Sequence, residues 1–216
     1  MRNQFHNQLK ELNLKLLKMG AMVQEIINES VKSLANQDLE LARKIYVMDD
    51  AIDEMELEIE MDCMNLIALQ QPLAKDLRVI GTILKMITDL ERMGDHAVNI
   101  AKVTIEIGDE KLIKPLIDIP RMAKLSQEMV KKCLDAFMTL DVDLAREVAN
   151  DDEAVDEIYE EIYTELINMM IENRMIVKQA TNLIFVGRYL ERIADHATNI
   201  GERIIYIVTG ENVEIN

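Results

Sequence analysis

The chain has 216 residues, enough to bury a core as one large domain or two small ones. Its 40 Asp and Glu against 24 Lys and Arg give a formal net charge of −16, which disfavours direct nucleic-acid binding and anionic membrane surfaces and favours cations and basic partner patches. Apolar residues at 49% exclude a disordered chain, and the scarcity of Gly (7), Pro (3) and aromatics (4%) beside 15 Met points to an all-α protein.

The first predicted element runs from about Phe5 to Leu34, with Leu9, Leu12, Leu16, Met19, Val23, Ile26, Ile27 and Leu34 at helical spacing. Met1 to Gly20 has no apolar signal core. No apolar run reaches the roughly 18 residues a membrane-spanning helix requires. The cytoplasm is therefore the expected location, and any contact with membrane complexes is expected to be peripheral, through partners. A polar break comes next, and Asp38 has the position of an N-cap for the second helix, which extends to about Gln70. The third element starts near Pro72 and carries Ile80, Ile83, Ile87, Leu90, Gly94, Ala97 and Ala101 at spacings of three and four, a core seam whose late positions are small.

Gly108 to Pro120 holds Pro115 and Pro120 and reads as a linker (residues 108–120). Beyond it the pattern starts again: one helix from about Met122 to Leu140, an N-cap at Asp141, a second helix to about Glu172, and a third with Ala180, Leu183, Gly187, Leu190, Ala194, Ala197 and Gly201. Asp38-Leu39-Glu40-Leu41-Ala42-Arg43 matches Asp141-Val142-Asp143-Leu144-Ala145-Arg146 at an offset of 103. Glu91-Arg92-Met93-Gly94-Asp95-His96-Ala97-Val98-Asn99-Ile100 returns as Glu191-Arg192-Ile193-Ala194-Asp195-His196-Ala197-Thr198-Asn199-Ile200 at an offset of 100, with seven of ten residues identical. The chain is thus two copies of one unit, residues 1–107 and 121–216, and the expected architecture is two tandem three-helix bundles of six helices in all, packed side by side.

What recurs most faithfully is polar, whereas a core needs only apolar volume. Residues four apart share a helix face, so Glu91, Asp95 and Asn99 form one row of oxygen ligands and Glu191, Asp195 and Asn199 its twin. Asp49 with Asp53, and Asp152 with Asp156, form acidic pairs on the preceding helices. Like charges at this spacing destabilise an isolated helix by a few tenths of a kcal/mol each, so roughly four such pairs call for a cation, either Arg or a metal. If the paired helices of each bundle face one another, four carboxylates converge on a site suited to Mg²⁺, Ca²⁺, Mn²⁺ or iron and unsuited to a structural zinc. Arg92 and Arg192 offer the competing neutralisation from within the protein, and solvated acidic faces on a metal-free scaffold are the plainest alternative. His96 and His196 recur about 100° around the helix from the aspartates, a position more typical of a hydrogen-bonded residue than of a ligand. Cys63 and Cys133 sit in apolar helical contexts and read as reduced core residues. No Gly-rich phosphate loop or nucleophile elbow is present, and Glu-x-x-x-Asp-His lacks the Glu-x-x-His spacing of a ferritin-like di-iron oxidase, so no enzyme is expected. A carboxylate-bridged redox or storage protein stays open as an alternative on the same residues.

At Asp76-Leu77-Arg78 after Gln71-Pro72, at Leu90-Glu91-Arg92-Met93-Gly94-Asp95, at Leu190-Glu191-Arg192-Ile193-Ala194-Asp195 and at the ending Ile205-Tyr206-Ile207-Val208-Thr209-Gly210, the chain resembles the PhoU family over essentially its whole length. The resemblance implies two three-helix bundles related by a pseudo-twofold. It implies multinuclear metal ions (iron, manganese, magnesium or zinc) on E(D)xxxD motifs, which fall here on Glu91 with Asp95 and Glu191 with Asp195, with Asp49, Asp53, Asp152 and Asp156 opposite. Ala194 in place of Gly94 departs from the motif in packing more than in ligation. It also implies a non-enzymatic negative regulator of phosphate uptake and the phosphate-starvation response. The partners it implies are the ATPase subunit of the Pst phosphate transporter, a PhoR-type sensor kinase, and a second copy of the chain in a homodimer.

Overall fold

The computed structural model describes residues 2–211 and 213–215, and it is all-α. Six long helices run in order: α1 (Arg2–Asn36), α2 (Leu39–Gln70), α3 (Ala74–Ile107), α4 (Asp118–Thr139), α5 (Val142–Glu172) and α6 (Val177–Thr209), the last preceded by a 3-10 turn at Arg174–Ile176. α1, α2 and α3 pack on one another as one bundle, and α4, α5 and α6 as the other. The two bundles meet through α3 against α6 and α1 against α4, so α2 and α5 are the outer helices. Among the described residues no helix is long and apolar enough to cross a membrane.

The duplicated turn has one geometry twice. Gln37 and Leu140, at matching positions, are both left-handed, with φ of 52° and 54°. They end α1 and α4, and the next amides return to the helices just left: Asp38 N to Ser33 O at 2.8 Å and Asp141 N to Ala136 O at 3.0 Å. The aspartates then cap α2 and α5. Asp38 accepts from the amide of Leu41, and Asp141 from those of Asp143 and Leu144, meeting amide protons that the helix itself leaves free.

Helix ends elsewhere differ from the sequence expectation. α3 begins two residues after Pro72, because Gln71 is itself left-handed (φ 46°) and turns the chain before the helix starts. α4 begins at Asp118, so Pro120, read as linker, sits in the helix's first turn, where its missing amide proton is no loss. The connecting strand between the bundles is thus 109–117, after the Gly108 cap of α3.

Every residue of the predicted seam on α3 and on α6 is buried. Its small members permit close approach, as predicted. A Cβ on Gly201 would stand 3.0 Å from the carbonyl oxygen of Ala145 on α5, and one on Gly94 only 2.7 Å from Oδ1 of Asp49 on α2. Between the bundles, Gly20 of α1 accommodates the end of Leu134 of α4. Cys63 and Cys133 are free and buried. Burial pushes the Cys63 thiol up to about 12 and that of Cys133 higher still, and Cys133 donates to the Ala197 carbonyl at 3.0 Å, so both behave as inert core residues.

α3 and α6 run antiparallel across the join. Asp89 meets His196 and Arg203, while His96 meets Tyr189 and His196. Asp89 and Tyr189 occupy matching positions in the two copies, as do His96 and His196. The contacts 89 with 196 and 189 with 96 are therefore images of one another, as a pseudo-twofold passing between the two histidines requires.

Candidate functional site

The acidic rows of each bundle lie along the seam between its outer helix and its central one. In the first bundle Asp49 and Asp53 of α2 face Glu91 and Asp95 of α3. Burial raises the Asp49 carboxyl to about 7, assisted by the charges of Asp53, Asp95 and Glu91. Burial and then Asp95 raise Asp53, and burial and then Asp95 raise Glu91 against the opposing pull of Arg92. Asp49 Oδ1 is buried with no hydrogen-bond partner, lodged against the bare backbone at Gly94. A carboxylate oxygen reached by neither water nor a donor is an acceptor in want of a cation or a proton.

The second bundle repeats the arrangement with different balance. Asp152, the mate of Asp49, is buried on α5, and Asp156 is raised by burial and by Asp195 across the seam. Glu191 is likewise raised by burial and then Asp195, with Arg188 and Arg192 opposing. Arg188 forms an ion pair with Glu191. The mate of Arg188 in the first bundle is Thr88, which brings no charge and donates to Glu56 at 3.1 Å. Glu56 in turn matches Tyr159. The first seam thus has one more acid and one less arginine than the second.

Arg92 donates to Asp95 at 2.9 Å and approaches Glu91 at 3.4 Å, and Arg192 repeats both contacts with Asp195 at 2.9 Å and Glu191 at 4.0 Å. The internal neutralisation weighed from the sequence is therefore present in both copies. Among the described residues no three His, Cys, Asp or Glu side chains stand close enough together to hold a metal ion as placed. Asn99 and Asn199 lie two turns along from Glu91 and Glu191, but Asn99 accepts from Lys102 at 3.0 Å, and Asn199 makes no hydrogen bond to a described residue. The carboxylates share a seam, and neither amide hydrogen-bonds to them among the described residues.

The histidines have another place altogether. They project from a different face of α3 and α6 into the join between bundles, with ring centroids 5.7 Å apart. His196 Nδ1 donates to Asp89 Oδ1 at 3.1 Å, and Arg203 Nε donates to Asp89 Oδ2 at 3.0 Å. His96 stacks on Tyr189 instead, with its Nδ1 buried and unpartnered. Burial and the neighbouring His196 lower its proton affinity to about 4, so the ring is neutral at pH 7. Asp89, Arg203 and Tyr189 are the site residues that the repeat pattern misses. Their mates are Tyr189, Val103 and Asp89, so matching the copies for identity passes over them; an acid next to the seam residue Leu90, Asp89, is the one signal that points to them.

The PhoU domain family profile matches residues 16–104 and 119–204, one domain in each bundle. A phosphate-specific transport system accessory protein PhoU homolog of Clostridium acetobutylicum is 43% identical over 98% of this chain and 97% of its own length. One from Aquifex aeolicus is 42% identical over 96% and 94%. The crystal structure of PhoU from Pseudomonas aeruginosa superposes with a TM-score of 0.91 at 37% identity, covering 96% of this chain and all of that one. The phosphate transport system regulatory protein PhoU from Streptococcus pneumoniae superposes at 0.90 with 34% identity, covering 97% and 99%. The chain belongs to the PhoU family.

Proposed function

We propose that this PhoU-family chain is the accessory regulator of a phosphate-specific transport system, and that it restrains uptake when phosphate is plentiful. PhoU accessory proteins are non-enzymatic. The observation that supports the reading is likeness over nearly the whole chain to transport accessory proteins, one of them at 43% identity, with the fold retained. Its partners on this reading are the transporter's ATPase subunit, a second copy of the chain, and in cells that have one a PhoR-type sensor kinase. Transport control ranks first because it needs no kinase. Deleting the gene should raise phosphate uptake in phosphate-replete cells, and the purified chain should retain the transporter ATPase subunit in a pull-down. Uptake unchanged by the deletion would remove the proposal's main support.

The same reading includes metal ions on the two acidic seams. The chemistry of the donor set suits a hard cation, being all-oxygen with the Asp49 oxygen lacking a partner, and the carboxylates would have to draw together to ligate one. Asp49, Asp53, Glu91 and Asp95 would hold a cation in the first bundle, and Asp152, Asp156, Glu191 and Asp195 in the second. A bound cation would neutralise carboxylates that now raise one another's proton affinity. Arg92 and Arg192 would have to yield Asp95 and Asp195 to it. Those ion pairs also favour the second reading, a scaffold whose acidic seams are neutralised by arginine alone. Elemental analysis of protein purified without chelators or a nickel column separates the two.

A further inference from the structure

We propose that the groove between the start of α3 and the end of α6 binds a phosphate-bearing anion, with Arg78 and Lys85 as its cationic ligands. The groove has a volume of about 1120 Å³ and is lined on one side by Leu77, Arg78 and Lys85 and on the other by Arg203, Tyr206 and the returning C-terminal segment at Val213. Three cations, Arg78, Lys85 and Arg203, stand there with two acids, Glu202 and Glu214, on a chain whose net charge is −16.

The pseudo-twofold supplies the comparison that singles out Arg78. Its mate is Lys178, and the mate of Tyr206 is Glu106. At the far end of the join Lys178 pairs with Glu106 at 3.5 Å. At the near end the acid is replaced by Tyr206, and Arg78 forms no ion pair among the described residues. Its Nε is buried without a hydrogen-bond partner, an N–H withdrawn from water and left unanswered. The far end is also filled by chain: the connecting strand lies along it, with Ile113 N donating to Gln179 at 2.6 Å and Gln179 donating to the Lys111 carbonyl at 3.2 Å. At the near end the described residues Val213 and Glu214 line the rim of an open groove instead.

Two carboxylates also line the groove, and neither forms an ion pair with Arg78 or Lys85 among the described residues. Glu202 accepts from the amide of Ile215 at 3.0 Å, and Glu214 is exposed. Arg203 is committed to Asp89 through Nε, which fixes its plane and leaves its terminal nitrogens to the groove. Arg78 and Lys85 carry no ion pair among the described residues. An arginine fork, a mobile ammonium and a tyrosine hydroxyl are the donors that a tetrahedral phosphate group takes. The groove is larger than orthophosphate and has an apolar wall at Leu77 and Val213, so free orthophosphate and the phosphates of a nucleotide are the two sources to distinguish.

Calorimetric titration of metal-stripped protein with inorganic phosphate, and separately with ATP, tests this, since no carboxylate-held cation can then contribute. Saturable binding of at least one probe is expected, weakened tenfold or more by Arg78→Gln and again by Lys85→Gln, and left unchanged by Lys178→Gln at the far end. Phosphate alone binding identifies the free ion, and ATP alone a nucleotide. Absence of saturable binding of both probes, or wild-type affinity in Arg78→Gln, overturns the proposal. Should Arg78→Gln lose its helicity, the exposed Lys85→Glu decides, and wild-type affinity there overturns it equally. None of these outcomes depends on whether the chain regulates a transporter.

Discussion

His196 donates to Asp89 across the join between the two bundles, and no corresponding bond exists at the pseudo-symmetric position, where His96 lies against Tyr189. The two histidines recur because both sit beside the twofold, where α3 meets α6. Their partners have diverged, so one copy's histidine became the anchor of a charged network while the other became a buried neutral ring. The repetition of these residues in the sequence has a structural origin.

Asp89 is 6% exposed and holds both His196 and Arg203, so its removal strands an arginine and an imidazole together. Asp89→Ala should lower unfolding free energy by about 3 kcal/mol, in the range for breaking a buried pair by deleting one partner. Urea titration followed by circular dichroism measures it. A change below about 0.5 kcal/mol, typical of surface positions, would mean that the network does not hold the bundles together.

Acidification has opposed effects that two variants separate. Asp49 has a folded value of about 7 against 3.8 for an ordinary aspartate, so the folded state holds the extra proton and the metal-free protein loses stability as pH rises through 4 to 7. His96 is lowered from 6.5 to about 4, so its contribution is intact above 6.5 and is lost as pH falls towards 4. Asp49→Asn should therefore stabilise metal-free protein at pH 8, with the gain gone by pH 4. His96→Gln should flatten the acid-side decline between pH 6.5 and 4. Thermal melts across this range read both, and a gain for Asp49→Asn that persists at pH 4 would contradict the assignment.

Metal content should track the carboxylates. Asp95→Ala combined with Asp195→Ala should remove bound metal while leaving helicity largely intact, since both positions are only half-buried. The first seam, with Glu56 and without an equivalent of Arg188, should be the tighter cation site. Asp95→Ala alone should then release more metal than Asp195→Ala alone at limiting metal, by elemental analysis. Full retention in the double variant would show that the ligands lie elsewhere.

The α1–α4 contact can be probed at Gly20. A Cβ there would come within 2.3 Å of Leu134 Cδ1, so Gly20→Val should cost about 1–3 kcal/mol by overpacking. Leu134→Ala in the same chain should recover part of the loss, giving a coupling energy in a double-mutant cycle of denaturation midpoints. Simple additivity of the two changes would place Gly20 and Leu134 out of contact.

The helices, their caps at Asp38 and Asp141, and the buried seam from Ile80 to Ala101 were legible because each is a local signal: periodicity, a cap residue, small side chains at fixed spacing. The start of α4 was not, since Pro120 reads equally as a linker residue and as a first-turn residue. The carboxylate rows could be placed on helix faces, but spacing alone left unstated what lay opposite Asp95. Asn99 shares its face and still turns to Lys102, because a residue's row on a helix does not choose its hydrogen-bond partner.

Sequence by itself determined the duplication, the all-helical class and the acid-bearing faces, because helical periodicity is a property of neighbours along the chain. Tertiary structure alone decided which faces meet. It set Asp49 against Glu91 and Asp95, turned the histidines to the join, and left Arg78 beside Tyr206 where its mate has Glu106. Burial and cross-helix charge depend on distance in space, and residues as far apart as Asp89 and Arg203 acquire that distance only when the two bundles dock.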